Sequence, residues 1–287
     1  MKRPGAVAVT LVFLAAVVFL AGCVGDPEAV RPALEGVEPP ELPDPEWESW
    51  ERDIAYAYLR IDARDGSVAL HLVRFDPAEV PFFVESRRSS EGAVLITDPK
   101  RILRESGALV AVNASPYATE ALHAGAEATI SGLSVESGRL VSPPSDRLWS
   151  FSVTDTGRFY LLPPGAPPPE GAYQGAGGFA PLVVDKRARG YSGPREARTA
   201  IGEDGQGRLY VAVVDGPRRG HSRGATTEEL GRWLARLGIE NALNLDGGGS
   251  SVLLRRGRTV NRPVAGLLYG RRRPVANVLL IGEGNLE

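Results

Sequence analysis

The run Ala242-Leu243-Asn244-Leu245-Asp246-Gly247-Gly248-Gly249-Ser250-Ser251-Val252-Leu253-Leu254 sets a carboxylate and three consecutive glycines between two apolar segments. The apolar flanks on both sides are strand signals, so the loop joins two buried strands. A two-residue hairpin turn needs one or two glycines. Three in succession carry an ordering entropy that a mere turn would not require. The segment therefore reads as a ligand-facing loop. The N–H groups of Gly247, Gly248, Gly249, Ser250 and Ser251 are expected to turn inward as an anion-binding concavity, with Asp246 pointing into the same space.

Upstream, Thr226 to Leu237 carries the one strongly periodic helix. Thr226 or Thr227 caps it, Glu228 and Glu229 sit in its first turn, Leu230, Trp233, Leu234 and Leu237 form the apolar stripe, and Gly238 ends it. With the strand Leu209 to Asp215 it makes a strand–helix–strand unit ending at Leu245. Further strands are expected at Ile54 to Ile61 and Ser67 to Phe75, paired as a hairpin, and at Leu109 to Asn113, Trp149 to Val153, Thr199 to Gly202 and Val275 to Ile281. A shorter helix fits Asp98 to Ser106. Many strands and few helices predict an α+β fold, a mixed and mostly antiparallel β-sheet in a single catalytic domain over residues 47–287.

The chain's start has a different character. Lys2 and Arg3 precede the apolar stretch Ala6 to Leu20 and then Leu20-Ala21-Gly22-Cys23, which resembles the lipobox of bacterial lipoproteins. Residues 1–22 are therefore expected to be a lipoprotein signal peptide, with lipid on Cys23 and an extracytoplasmic, membrane-anchored location. An uncleaved anchor helix is the alternative. Residues 23–46 are rich in Pro and Glu and are expected to be a flexible tether. Cys23 is the only cysteine, so no thiol remains for a disulfide, a thiolate nucleophile or a zinc–sulfur site. With 33 basic and 35 acidic residues the net charge is -2, which gives no electrostatic footprint for nucleic acid. His71, His123 and His221 are scattered and lack metal-ligand spacing. No cofactor is implied; a carboxylate-bound divalent cation stays open.

Several segments in order, Arg198-Thr199-Ala200-Ile201-Gly202, Val213-Val214-Asp215-Gly216, Ser222-Arg223-Gly224, the Thr227 to Leu237 helix, Asn241 to Ser251, Val260-Asn261-Arg262-Pro263 and Arg273-Pro274-Val275-Ala276-Asn277, resemble the phosphodiester glycosidase family. Ala111-Val112-Asn113-Ala114-Ser115-Pro116-Tyr117 extends the resemblance upstream. It implies a glycosidase that hydrolyses the sugar–phosphate bond of glycosyl phosphodiesters, here in cell-envelope or exopolysaccharide glycans. Such a reaction forms an oxocarbenium-like centre and releases a phosphate that needs little help from a general acid.

The carboxylates expected at the centre are Asp246 first and Asp215 second. The Gly247 to Ser251 loop and the guanidinium groups of Arg198 or Arg273 are expected to bind the phosphate. Asn113 is expected to hold sugar hydroxyls or the aspartates. One departure concerns the arginine that the family often places directly after the Asp-Gly pair. This chain has Pro217 there and then Arg218, so the arginine is either displaced or missing from the site. That departure supports an alternative, a non-catalytic surface lipoprotein that binds phosphorylated glycans. An acyl hydrolase using Ser250 or Ser251 lacks the Gly-x-Ser-x-Gly elbow.

Overall fold

The computed structural model describes residues 40–283, apart from positions 52, 191, 266, 267, 270 and 271. The chain divides into Met1–Arg31 and Pro32–Glu287, and every described residue belongs to the second unit. The signal segment, Cys23 and most of the expected tether lie outside the described residues.

An eight-stranded sheet runs in the order Glu48–Glu51, Ile54–Ala63, Gly66–Phe75, Leu209–Val214, Arg198–Asp204, Ile239–Asn244, Pro181–Val184, Arg187–Ala188. A second eight-stranded sheet has Val110–Asn113 and Asn277–Ile281 at its middle, flanked by Leu253–Arg255 and Phe82–Arg88. A five-stranded sheet is centred on Ala172–Gly177 and Ser150–Thr154. Pairings between the described strands are antiparallel. The expected strand–helix–strand unit forms with a strand inserted. Leu209–Val214 and Ile239–Asn244 each pair with Arg198–Asp204, so they run parallel to one another on either side of it.

Side-chain alternation divides the strands between layers. From the first large sheet, Val73, Phe75, Ile201, Val211, Val213, Leu243 and Leu245 face the same core as Val110, Val112, Leu253, Leu279 and Ile281 of the second. On the first sheet's outer face Leu70, Leu72, Ala212, Val214 and Ala242 lie under helix α2 (Thr227–Arg236), which contributes Leu230, Trp233 and Leu234. On the second sheet's outer face Ala111, Val278 and Leu280 lie under helix α1 (Pro99–Ser106), through Ile102 and Leu103. Both large sheets are thus covered on both faces, which explains near-continuous apolar runs such as Val275 to Ile281.

Helix α2 begins with a reciprocal capping box: Thr226 Oγ1 accepts from Glu229 N at 3.1 Å, and Glu229 Oε2 accepts from Thr226 N at 3.0 Å. Trp233 Nε1 donates to Pro40 O at 3.2 Å, and Leu42 is buried in the same cluster. The folded body therefore takes in residues ahead of Trp47, and the tether ends earlier than the composition of 23–46 suggested. Gly231 meets the sheet without a side chain: a Cβ there would lie 2.5 Å from Leu182 O and against Arg189 O. Gly231→Ala should push the helix off the sheet and destabilise the protein by about 1–3 kcal/mol. Thr226→Ala should remove one cap and cost about 1 kcal/mol. Denaturant unfolding of both variants checks the order, and equal or reversed losses would contradict this packing.

Candidate active site

The strands Leu209–Val214, Arg198–Asp204 and Ile239–Asn244 bring Asp215, Arg198 and Leu245-Asp246 to one edge of the first sheet. Leu245 N still donates to Thr199 O at 2.9 Å, but Asp246 N donates at 3.0 Å to Ala114 O, at the end of the second sheet's Val110–Asn113. The chain is thus handed from one sheet to the other at Asp246. Asn113 secures the transfer. Its Nδ2 donates to Asp246 O at 2.6 Å, while its Oδ1 accepts from Thr199 Oγ1 at 2.9 Å and Val252 N at 3.1 Å. At 1% exposure this amide has its polar atoms satisfied inside the protein.

The loop that follows is a single 3₁₀ turn, Gly248–Ser250. Gly248 has φ +55°, which favours glycine. A Cβ on Gly247 would lie 2.9 Å from Ala197 O, and one on Gly216 would lie 3.2 Å from Ala197 Cβ. Both Asp-Gly pairs therefore press against the same residue. Across the intervening strand, the backbones of Asp215 and Asp246 stand about 10 Å apart by ordinary strand spacing.

Around Asp246 the charge is arranged for anion chemistry. Arg273 Nη2 donates to Asp246 Oδ2 at 3.2 Å, and Arg273 Nε donates to Ser250 Oγ at 3.1 Å, with Nη2 on the same hydroxyl. The guanidinium sits 5.5 Å over the Tyr117 ring, and Tyr117 Oη donates to Pro274 O at 2.7 Å. Burial pushes the Asp246 carboxyl above the ordinary carboxylate value, against the opposing pull of the Arg273 charge, the Ser250 hydroxyl and the Gly247 N–H. Its side chain is 13% exposed and that of Arg273 is 30% exposed, so this pair reaches solvent.

Asp215 is different. Its side chain is 1% exposed; Oδ2 accepts from His221 Nε2 at 2.6 Å and faces His71 Nε2 at 3.5 Å, and Oδ1 accepts from Arg262 N at 2.8 Å. Burial raises its carboxyl, but His71, His221 and the Arg262 N–H outweigh burial and bring it down to about 2. Tyr56 Oη lies 2.8 Å from His71 Nδ1, which completes a chain of four polar side chains.

The model of the phosphodiester glycosidase family matches residues 106–282, more than half of the chain. The chain belongs to the phosphodiester glycosidase family. A 67-residue stretch, 23% of this chain, is 39% identical to N-acetylglucosamine-1-phosphodiester alpha-N-acetylglucosaminidase of Bos taurus and 39% identical to the Homo sapiens protein of that name. It spans only 12% and 13% of those proteins. The catalytic domain of the zebrafish protein of that name, solved auto-inhibited by its pro-peptide, superposes with TM-score 0.63 at 21% identity over 86% of this chain and 89% of that one. A hypothetical protein from Synechocystis gives TM-score 0.63 at 16% identity over 83% of this chain and 64% of that one. At these identities the likeness concerns the fold.

Within the family's span the site differs from the expected constellation in its details. Asp246, Ser250 and Arg273 converge. Arg198 does not join them, because its register partner is Val214 and both face the helix layer. Its guanidinium donates to Ala225 O at 3.0 Å and Pro194 O at 2.7 Å. Alternation places Thr199, not Arg198, between the sheets. The expected nest of loop amides also does not form as such: Gly248 N donates to Ala197 O, Ser250 N to Gly247 O and Ser251 N to Gly248 O. Gly249 stays half-buried in that turn. Ser251 is fully buried, with Oγ 3.2 Å from Thr199 Oγ1. Asn113 holds the Asp246 backbone rather than presenting its amide to a sugar.

Sequence patterning alone does not bring His71, His221, Thr199 and Tyr117 to this edge of the sheet. Only the strand register, Val213 opposite His71, could have located the first of them. Because Asp215 titrates far below its ordinary value of 3.8, it stabilises the fold above pH ~4. That contribution, roughly 2–3 kcal/mol, is lost as pH falls from about 4 towards about 2. Unfolding measured across this range should show the loss in wild type and not in Asp215→Asn, which should already be weaker at neutral pH. Parallel pH curves for the two proteins would contradict the assignment.

Proposed function

We propose that this protein hydrolyses the bond between the anomeric carbon of a sugar and the oxygen of a phosphodiester. The observation that carries the proposal is the Asp246–Arg273–Ser250 group: a solvent-reaching carboxylate and a guanidinium with one hydroxyl, held on a rigid glycine turn. In a substrate complex Arg273 and the Ser250 hydroxyl bind phosphate oxygens, the geometry in which a guanidinium gains most from two parallel donors. Asp246 faces the anomeric carbon and stabilises the positive charge that builds there as the carbon–oxygen bond breaks. The electron pair leaves with the phosphate monoester, an anion at neutral pH, and water completes the sugar.

The substrates we infer are glycosyl phosphodiesters of cell-envelope or exopolysaccharide glycans. This rests on the sequence Lys2-Arg3, the apolar stretch to Leu20 and the lipobox-like Leu20-Ala21-Gly22-Cys23, which would put a lipid anchor on Cys23 and the domain outside the cytoplasm.

Sugar and phosphomonoester release from a panel of sugar-1-phosphodiesters, UDP-N-acetylglucosamine among them, tests the reaction. Asp246→Asn should lower kcat by about 1,000-fold or more without unfolding the protein. Arg273→Lys should stay impaired, since an ammonium lacks the paired donors. Full activity in Asp246→Asn would refute the role assigned to this residue. Binding of the panel by wild type with no turnover would favour the glycan-binding lipoprotein instead.

A further inference from the structure

Asp215 has the chemistry of an active-site carboxylate but is sealed from solvent. Its partner His221 is not sealed: that ring is 12% exposed, and its other nitrogen, Nδ1, makes no hydrogen bond to any described residue. The loop between them is built to return the imidazole to the carboxylate. Arg218 N donates to Ser222 O at 2.6 Å, His221 N to Arg218 O at 3.0 Å, and Ser222 Oγ back to Asp215 O at 2.7 Å. Ser67 Oγ donates to His221 O at 3.3 Å from the neighbouring strand.

We propose that His221 is the group that accepts the proton of the attacking water in the glycosidase reaction, with Asp215, His71 and Tyr56 as positioning residues. The inference rests on the glycosidase reading above and adds the base that reading leaves unassigned.

Tautomers follow from the hydrogen bonds. Burial raises the Tyr56 hydroxyl's affinity for its proton, and within this proposal that proton is assigned to the contact with His71 Nδ1. His71 then carries its proton on Nε2, towards Asp215. His221 likewise donates Nε2–H to the same carboxylate oxygen. A neutral imidazole with its proton on Nε2 has its lone pair on Nδ1, the nitrogen that hydrogen-bonds to none of the described residues. In the reaction the water oxygen bonds to the anomeric carbon and its proton moves to His221 Nδ1. The carbon–oxygen bond to phosphate breaks, its electron pair leaves with the phosphate monoester, and the imidazolium returns its proton to solvent.

Asp215 does not need His221 for satisfaction alone, because Arg262 N and His71 already address both of its oxygens. Tyr56 and His71 come from the hairpin ahead of the family's matched span, so the deep end of this chain of contacts lies outside the part of the sequence that defines the family. Both Asp-Gly turns lean on Ala197, which puts the His221 loop and the Asp246 loop on one edge.

Three measurements on the whole protein decide the matter. His221→Ala should lower kcat by about 100-fold with KM little changed and the protein still folded, and added imidazole should restore much of the rate. Asp215→Asn should lower kcat in the same manner but gain nothing from imidazole, since its His221 ring is still present. Nitrogen NMR of the histidine rings in wild type should show His221 protonated on Nε2 and bare on Nδ1. A His221→Ala protein with wild-type kcat, or one whose loss imidazole leaves untouched while stability falls, would overturn the proposal. If wild type shows no turnover, the glycosidase reading fails by itself. The ring spectrum still judges the dyad: an Nδ1-protonated His221 overturns it, and an Nε2-protonated ring supports the arrangement.

Discussion

The buried side-chain amide of Asn113 is the joint on which the site depends. It ties the last turn of one sheet to the other by bonds to Asp246 O, Thr199 Oγ1 and Val252 N. Thr199 and Val252 are buried, so removing the amide would leave their polar groups unsatisfied inside the protein. The consequence is a glycine turn that does not drift. Gly247 is pinned against Ala197, Asp246 is handed between the sheets, and Arg273 finds its carboxylate and hydroxyl already in place. In the proposed reaction the site distinguishes a developing cation from a neutral sugar, a task that benefits from such preorganisation.

The two aspartates at this edge have the same covalent chemistry and opposite environments. Asp215 is enclosed but has a hydrogen-bonding partner on each oxygen, so it is held ionised. For Asp246 burial outweighs the Arg273 guanidinium, the Ser250 hydroxyl and the Gly247 N–H, so its proton affinity rises. Pushing two carboxyl groups apart in this way divides labour between them. In the proposed reaction one orients a neighbouring imidazole without touching substrate, and the other faces the ligand.

Local features were legible in the sequence, and non-local ones mostly were not. The stripe Leu230, Trp233, Leu234, with a threonine cap at Thr226 or Thr227 ahead of it, declared α2 to within a residue, and the Ala63 to Gly66 turn declared the first hairpin. Asp246 and its glycines announced the loop because three glycines are costly to order. The direction of a side chain at a strand's first residue was harder. Arg198 and Thr199 are neighbours, and only register tells which enters the site. His71 and His221 lie 150 positions apart and meet only because both touch Asp215. The loop amides misled for a related reason: a nest requires them unpaired, and the 3₁₀ turn and Ala197 O consume them. Short strands such as Ser134–Glu136 carry too few residues for a period of two to declare itself.

The central claim is that the bond broken is the one between carbon and oxygen, not the one between oxygen and phosphorus. Hydrolysis of a sugar-1-phosphodiester in water enriched in heavy oxygen separates the two directly, by phosphorus NMR of the released phosphomonoester. A glycosidase built on Asp246 and Arg273 places the label on the sugar and leaves the phosphorus signal unshifted. A phosphomonoester carrying the heavy oxygen would mean attack at phosphorus and would contradict the account.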